Sequence, residues 1–373
     1  MKVPLRVDGL FQTELTPKQK KNSELNIEEY NRNNVELHSY PRRVLLELTN
    51  MCNYRCIMCG RNATSFRPSF LDLNFIERFS HVFEYAEEVT LFGWGEPTIH
   101  PEFSNIMKFA SKFPQLRKYL LTNGSNLDFI KKIVKMGVLD ILAISLDGAT
   151  PKMNNLIRCG SDFDYITNKI EEIVLLGEEG YKVPFINLVF VIMMRNVYQL
   201  PDMIKLTKRL GLPELKAVYL TSFGGVLENE TMWMNPEIYR PIRDSALELA
   251  DKLGVLVKLP PVIGEDQTAD FPHKKCSVAW RDMFVSSDCS VRPCQSSPVK
   301  LGTLIGDSLK SADAFFRFWN SSDYKIFRKT VNNFDEMNTN CRYCYQSSHA
   351  NWNLKHAHIQ PCFGSIPQWG MRL

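Results

Sequence analysis

Leu46-Glu47-Leu48-Thr49-Asn50-Met51-Cys52-Asn53-Tyr54-Arg55-Cys56-Ile57-Met58-Cys59 joins a short apolar run to three cysteines spaced CxxxCxxC. The run from Val44 to Thr49 reads as a first strand, which puts the cysteines in the loop directly after it. In a parallel βα barrel that loop lies on the C-terminal face, where active sites are built. Three thiolates at such short gaps suit a 4Fe-4S cube, whose irons normally take one cysteine each, and they leave one iron without a protein ligand. An open coordination position is what separates a catalytic metal from a structural one. Three buried structural cysteines, or a zinc knuckle, are the other readings of this spacing.

Outward from this loop, short apolar runs alternate with amphipathic stretches. Val44 to Thr49, Val89 to Phe92, Tyr119 to Thr122, Ile141 to Leu146, Ile186 to Met193 and Ala217 to Leu220 read as strands. Phe75 to Phe83, Phe103 to Phe113, Phe129 to Met136, Tyr165 to Leu176 and Leu200 to Leu210 read as the helices between them, each long enough for a parallel crossover. Asn235-Pro236-Glu237 opens a further helix to about Leu253, with a capping residue followed by Pro at the first helical position. The expected fold is α/β: a partial (β/α)6 TIM-like barrel over 40–259, followed by a small cysteine-rich domain over 260–373, with the break at Pro260-Pro261. Residues 1–39 are polar, carry Thr16-Pro17-Lys18-Gln19-Lys20-Lys21-Asn22 and show no sustained apolar period, so they read as a polar, solvated extension.

The composition is that of an ordinary globular protein, 44% hydrophobic and 23% charged over 373 residues. The formal charge of +4 is spread among interspersed residues of both signs, so no basic stripe points to nucleic acid. No apolar run approaches the roughly 20 residues that cross a bilayer, and the N-terminus lacks a secretory h-region. A cytoplasmic protein with no membrane partner is expected. Most of the ten cysteines fall in two groups with short gaps, which is the arithmetic of metal sites rather than of disulfides.

The CxxxCxxC loop resembles the cluster loop of the radical S-adenosylmethionine (SAM) superfamily. In that family the open iron chelates the amino and carboxylate groups of SAM, and electron transfer cleaves the sulfonium to a 5′-deoxyadenosyl radical. Phe92-Gly93-Trp94-Gly95-Glu96-Pro97 resembles the family's GGEP motif with Trp94 between the glycines. The resemblance implies that Gly93, Gly95 and Glu96 meet the SAM amino group; alone, the segment would be a tight strand-to-helix turn. Thr122-Asn123-Gly124 and Ile144-Ser145-Leu146-Asp147-Gly148, ending the third and fourth strands, are similar to further active-site motifs. Asn123 is thereby implied at the cofactor, and Ser145 and Arg158 match positions that commonly bind the SAM carboxylate. A surface ion pair is the other reading of Arg158. The strand around Val189 to Ile192 packs either adenine or the core.

Cys276, Cys294, Cys341 and Cys344 form a second constellation, two separated thiols plus a CxxC, able to close around one cluster or one zinc. With Phe284 to Cys294 and Trp319-Asn320-Ser321, it resembles the SPASM or shorter twitch extension of radical SAM enzymes, which implies an auxiliary 4Fe-4S cluster. The family's hairpin usually carries Gly where Cys289 stands, and the cysteines after the CxxC are too few for two auxiliary clusters. Cys159, Cys289 and Cys362 are left over; Cys362 is open between cluster ligand, hydrogen-atom donor and structural thiol. His349, His356 and His358 are given no chemical role, and Trp352 and Trp369 read as packing residues.

The resemblance implies a radical SAM oxidoreductase that abstracts a hydrogen atom from a sugar- or aminocyclitol-like small molecule or from a peptide. Its reductant would be external, such as flavodoxin or ferredoxin. A redox-neutral epimerase or lyase, and a non-enzymatic iron-sulfur or zinc protein, are the rival readings. No general acid or base is identifiable from the sequence.

Overall fold

Each of the six apolar runs becomes a parallel strand. The computed structural model describes residues 15–63, 67–222, 227–260, 262, 276–295, 297, 299–309 and 311–346. After α1 (Pro17–Asn31), the chain alternates β1 (Arg43–Leu46), α2 (Leu73–Phe79), β2 (Glu88–Leu91), α3 (Phe103–Ala110), β3 (Arg117–Thr122), α4 (Leu127–Lys135) and β4 (Ile141–Ser145). It continues through α5 (Pro151–Ile157), α6 (Phe163–Leu175), β5 (Phe185–Ile192), α7 (Leu200–Arg209), β6 (Glu214–Tyr219), α8 (Pro236–Leu253) and β7 (Leu256–Lys258). The C-terminal part holds α9 (Val278–Arg281), β8 (Asp282–Val285), β9 (Val291–Arg292), α10 (Ala312–Trp319), α11 (Ser322–Thr330) and α12 (Thr339–Gln346).

The first four strands are buried at every position, because helices cover one face and the barrel interior the other, so they read as continuous apolar runs rather than alternating ones. The helices bury one stripe each; in α4 it is Leu127, Ile130, Ile133 and Val134. Asp72, Thr150 and Asp162 start α2, α5 and α6 by accepting backbone N–H groups of the first turn. Helix α8 begins at Pro236 as expected and stops at Gly254, whose φ of 64° is the left-handed conformation of a helix C-terminus.

Among the described residues the sheet has nine strands in the order β7-β6-β5-β4-β3-β2-β1-β8-β9, parallel throughout except for the β8–β9 hairpin. Three strands, β7, β8 and β9, lie beyond the six expected. Strand β7 is only three residues long and half-buried, too short to show a period. Strand β8 comes from the cysteine-rich region and pairs in parallel with β1, from Arg43↔Asp282 to Leu46↔Val285. The segment that resembles the family's hairpin therefore also extends the barrel sheet.

At the N-terminal edge, register sets Asp282, Arg43, Glu88 and Arg117 side by side, a row of alternating sign. Arg43 pairs with Asp282 at 2.9 Å and Arg117 with Glu88 at 2.7 Å, all buried. Nearby Lys258 meets Glu214 at 2.6 Å, and burial, with Lys258 adding to it, pushes the Lys216 ammonium down to about 7. This ionic layer closes the end of the barrel opposite the cysteine loop.

The N-terminal arm is a correction to the sequence reading, since it contains a packed helix. Helix α1 buries Gln19, Asn22, Ser23, Asn26 and Glu29, a stripe of helical period made of polar residues. Gln19 Nε2 donates to the Ala86 carbonyl at 2.7 Å, Asn22 Nδ2 to that of Tyr40 at 3.1 Å, and Asn26 Nδ2 to that of Trp280 at 2.9 Å. The helix docks by satisfying backbone groups, which an apolar-period reading does not detect.

Candidate active site

The loop after β1 is held by its neighbours before any metal is considered. Thr49 Oγ1 and Asn50 Nδ2 donate to the Ser69 and Arg67 carbonyls at 2.8 Å each, Glu96 N to the Met51 carbonyl at 2.8 Å, and Ile57 N to the Ile157 carbonyl at 3.0 Å. Cys52, Cys56 and Cys59 thereby line one cavity of about 140 Å³, together with Gly93, Gly95, Glu96, Asn123, Ser145 and Arg158. Every barrel residue singled out in the sequence for cofactor or metal contact is in that lining. Phe92, Leu121, Val191 and Leu220 add apolar wall.

Donors face two of the sulfurs. Cys52 Sγ accepts from Tyr54 N at 3.5 Å and Asn123 Nδ2 at 3.7 Å, and Cys56 Sγ from an Arg158 guanidinium nitrogen at 4.0 Å. Burial nevertheless pushes the Cys56 thiol up to about 12, with Arg158 pulling against it, and also raises Cys52. Thiols buried in this way ionise only against a cationic partner, and the donor set, three sulfurs around one cavity, fits an iron-sulfur cube. Among the described residues, no three His, Cys, Asp or Glu groups converge on a single-ion site, whereas a cube spreads its cysteines over different irons.

The glycines after β2 are required by close approach. A Cβ on Gly95 would collide with the Thr49 and Met51 carbonyl oxygens, and one on Gly93 with the Glu47 side chain. The backbone N–H of the intervening Trp94 donates to Glu47 Oε1 at 2.7 Å. Glu47 Oε2 accepts from both the N–H and the hydroxyl of Ser287 at 3.1 Å, tying this loop to the end of β8.

Glu96 is buried, and its carboxylate accepts from Thr98 N at 3.1 Å, Thr98 Oγ1 at 2.7 Å, Thr122 Oγ1 at 2.8 Å and Asn123 N at 2.7 Å. Burial raises its pKa and these four donors oppose the rise. Arg158 forms an ion pair with Asp147, Nε to Oδ2 at 2.7 Å, and the pair is buried rather than at the surface. Asp147 is fixed in turn by Val191 N at 2.7 Å. Burial works against the Arg158 charge, but Asp147 and the Cys56 sulfur outweigh it and hold the group above its usual range. A fixed cation thus stands beside the cysteine loop.

Glu47 and Asp147 stand inside quoted motifs, but the sequence reading gave neither a role. The signal for Glu47 was present in the opening stretch, as a carboxylate between two leucines at the end of an apolar strand. Its partner Ser287 lies 240 residues away in sequence.

In the C-terminal part, Cys276 and Cys294 are buried and Cys341 is half-buried on α12. The Asn332 carboxamide clamps the Cys276 backbone at 2.6 and 3.2 Å, and Asn338 Nδ2 donates to Cys341 Sγ at 3.1 Å. Cys344 lies one helical turn beyond Cys341, with its side chain outside the described residues. Cys362, His349, His356, His358, Trp352 and Trp369 also lie outside them. Cys289 has φ 63°, the left-handed conformation that favours the Gly expected there. Cys159 is exposed, its thiol directed to the Leu156 carbonyl at 3.5 Å.

Comparison with known proteins agrees with this arrangement. The family model of the radical SAM superfamily matches residues 46–197, and that of the SPASM iron-sulfur cluster-binding domain matches residues 276–345. The tungsten-containing aldehyde ferredoxin oxidoreductase cofactor-modifying protein of Pyrococcus furiosus is 26% identical over 260 residues, 67% of this chain and 69% of that protein. The PqqA peptide cyclase of Gluconobacter oxydans is 26% identical over 324 residues, 83% of this chain and 84% of that protein. In fold, the chain is similar to Streptococcus suis SuiB bound to precursor peptide SuiA, with a TM-score of 0.62 at 12% identity over 88% of this chain and 74% of that one.

Proposed function

The chain belongs to the radical SAM superfamily, with a SPASM domain after its barrel, and from that premise we propose that it oxidatively modifies a peptide. Its cofactors are SAM, the 4Fe-4S cluster that binds it and an auxiliary iron-sulfur cluster. The observation that carries the assignment of residues is the single cavity on which Cys52, Cys56, Cys59, Gly93, Gly95, Glu96, Asn123, Ser145 and Arg158 converge.

Cys52, Cys56 and Cys59 would hold the SAM-binding cluster, and Cys276, Cys294, Cys341 and Cys344 the auxiliary one. When bound, these groups supply the electron that splits SAM, the deoxyadenosyl radical that takes a substrate hydrogen atom, and an acceptor for the electron left behind. The chain's own task is positioning. Glu96 offers an oriented carboxylate to the SAM ammonium, and its four protein donors keep that carboxylate still. Arg158, fixed by Asp147, and Ser145 offer a cation and a hydroxyl to the SAM carboxylate. Gly93 and Gly95 let the ligand reach the backbone, and Phe92, Leu121, Val191 and Leu220 exclude water from a reactive intermediate.

The peptide is favoured over a sugar by the relatives' names, which specify a peptide cyclase and a protein bound to a precursor peptide. An external donor such as flavodoxin or ferredoxin would supply the first electron. The test is to incubate the anaerobically reconstituted protein with a library of synthetic peptides and to follow product mass. Loss of two hydrogens, with deoxyadenosine formed in step, is expected. An unchanged composition with solvent deuterium taken up at carbon would mean epimerisation instead.

A further inference from the structure

One part of the cavity wall comes from outside the motifs already described. The cysteines, glycines, Glu96, Asn123, Ser145 and Arg158 all lie on the loops and strand ends from β1 to α5, whereas Gln295 follows β9. In the sheet order β9 is at one edge, and β6, which leads to the lining residues Leu220 and Thr221, is next to the other. Curling of the sheet brings both to one cavity. Gln295 also follows Cys294 directly, so the lining runs from the three-cysteine loop to the neighbour of a proposed auxiliary ligand.

Gln295 is 2% exposed, and its side-chain oxygen has no hydrogen-bond partner among the described residues. The other carboxyl and carboxamide oxygens of the lining are engaged. Both Glu96 oxygens accept from protein donors, and Asn123 Oδ1 accepts from Ser125 N at 2.9 Å. A buried carboxamide oxygen costs free energy until a donor reaches it, and the cavity that Gln295 lines is where a bound molecule can bring one.

We propose that Gln295 is a substrate-binding residue whose carboxamide oxygen takes a hydrogen bond from an N–H or O–H of the substrate. It holds that group between the Cys52, Cys56, Cys59 loop and Cys294. The inference rests on the radical SAM reading of the cavity and adds to it the chemistry of the substrate: a hydrogen-bond donor on or beside the carbon that loses its hydrogen. A peptide amide and a polyol hydroxyl share that chemistry.

The test titrates the reconstituted, SAM-loaded protein with N-acetylglycine methylamide and, separately, with myo-inositol, following binding by saturation-transfer NMR. Wild type is expected to bind at least one probe; a response to the amide alone identifies an N–H donor, and to inositol alone an O–H donor. Loss of one hydrogen bond in Gln295→Met should weaken that binding about fivefold to tenfold, while Gln295→Glu, which keeps an acceptor, stays within about twofold of wild type. Iron content of each variant serves as the folding control. Equal binding by wild type and Gln295→Met overturns the proposal. So does binding of neither probe by a wild type that still forms deoxyadenosine, a result that leaves the radical SAM reading standing. A parallel loss of SAM affinity in Gln295→Met would also overturn it, by putting the contact on SAM. A wild type that forms no deoxyadenosine at all fails the reading beneath the proposal, and the proposal with it.

Discussion

Gly95 is the residue at which sequence and geometry constrain each other most tightly. The atoms that a Cβ would meet are backbone oxygens of the cysteine loop, so no side chain can swing aside to make room. Gly95→Ala is expected to push that loop outward and break the bond from Glu96 N to the Met51 carbonyl. SAM affinity should fall about tenfold or more, measured by equilibrium dialysis on reconstituted protein. Wild-type affinity in that variant would mean that the two loops do not share one ligand. Most of the barrel site was legible at this scale because its residues are punctuation at strand ends: a cysteine cluster, a glycine turn, an Asn-Gly and a Ser-x-Asp-Gly. The roles of Glu47, Asp147 and Gln295 were not, although Glu47 and Asp147 stand inside quoted motifs, since what makes them matter is a contact from another element. The ion pair of Asp147 with Arg158 and the open oxygen of Gln295 exist only once the sheet is curled.

At the scale of elements, helix α1 shows how a period can be present and pass unread. Gln19, Asn22, Ser23, Asn26 and Glu29 repeat as an amphipathic helix should, but the buried face is polar, and Gln19, Asn22 and Asn26 partner carbonyls such as those of Ala86, Tyr40 and Trp280. Asn26→Ala removes the donor to both the Ser39 hydroxyl and the buried Trp280 carbonyl. It should destabilise the protein by about 1–3 kcal/mol, read from the denaturant midpoint. An effect near zero would show that α1 is a loosely attached arm. The strands from β1 to β6 were legible as continuous apolar runs. Strand β8 was not recognisable as a barrel strand, because its four residues pair with a partner 239 positions earlier in the chain, and nothing local in the sequence records that register.

For the whole molecule, the two ends of the barrel have opposite characters. The N-terminal edge is closed by α1 and by the row Asp282, Arg43, Glu88 and Arg117, whose alternating charges compensate one another in a buried layer. The C-terminal edge carries the cavity, and β8 docked on β1 brings the SPASM region to its rim through Glu47, Ser287 and Gln295. The three-cysteine cavity and the segment that carries Cys294 are therefore built on one continuous sheet, which is why a residue next to Cys294 can line the same cavity as Cys56. Anaerobic reconstitution followed by a dithionite assay for 5′-deoxyadenosine, run on wild type beside Cys56→Ala, is the most direct test of that cavity as a SAM-cleaving site. Wild type should load about eight irons per chain, four for each of two clusters, and form deoxyadenosine. Cys56→Ala should keep a cooperative melt and form none. Deoxyadenosine from Cys56→Ala at the wild-type rate, or none from wild type carrying its full iron, would contradict the assignment.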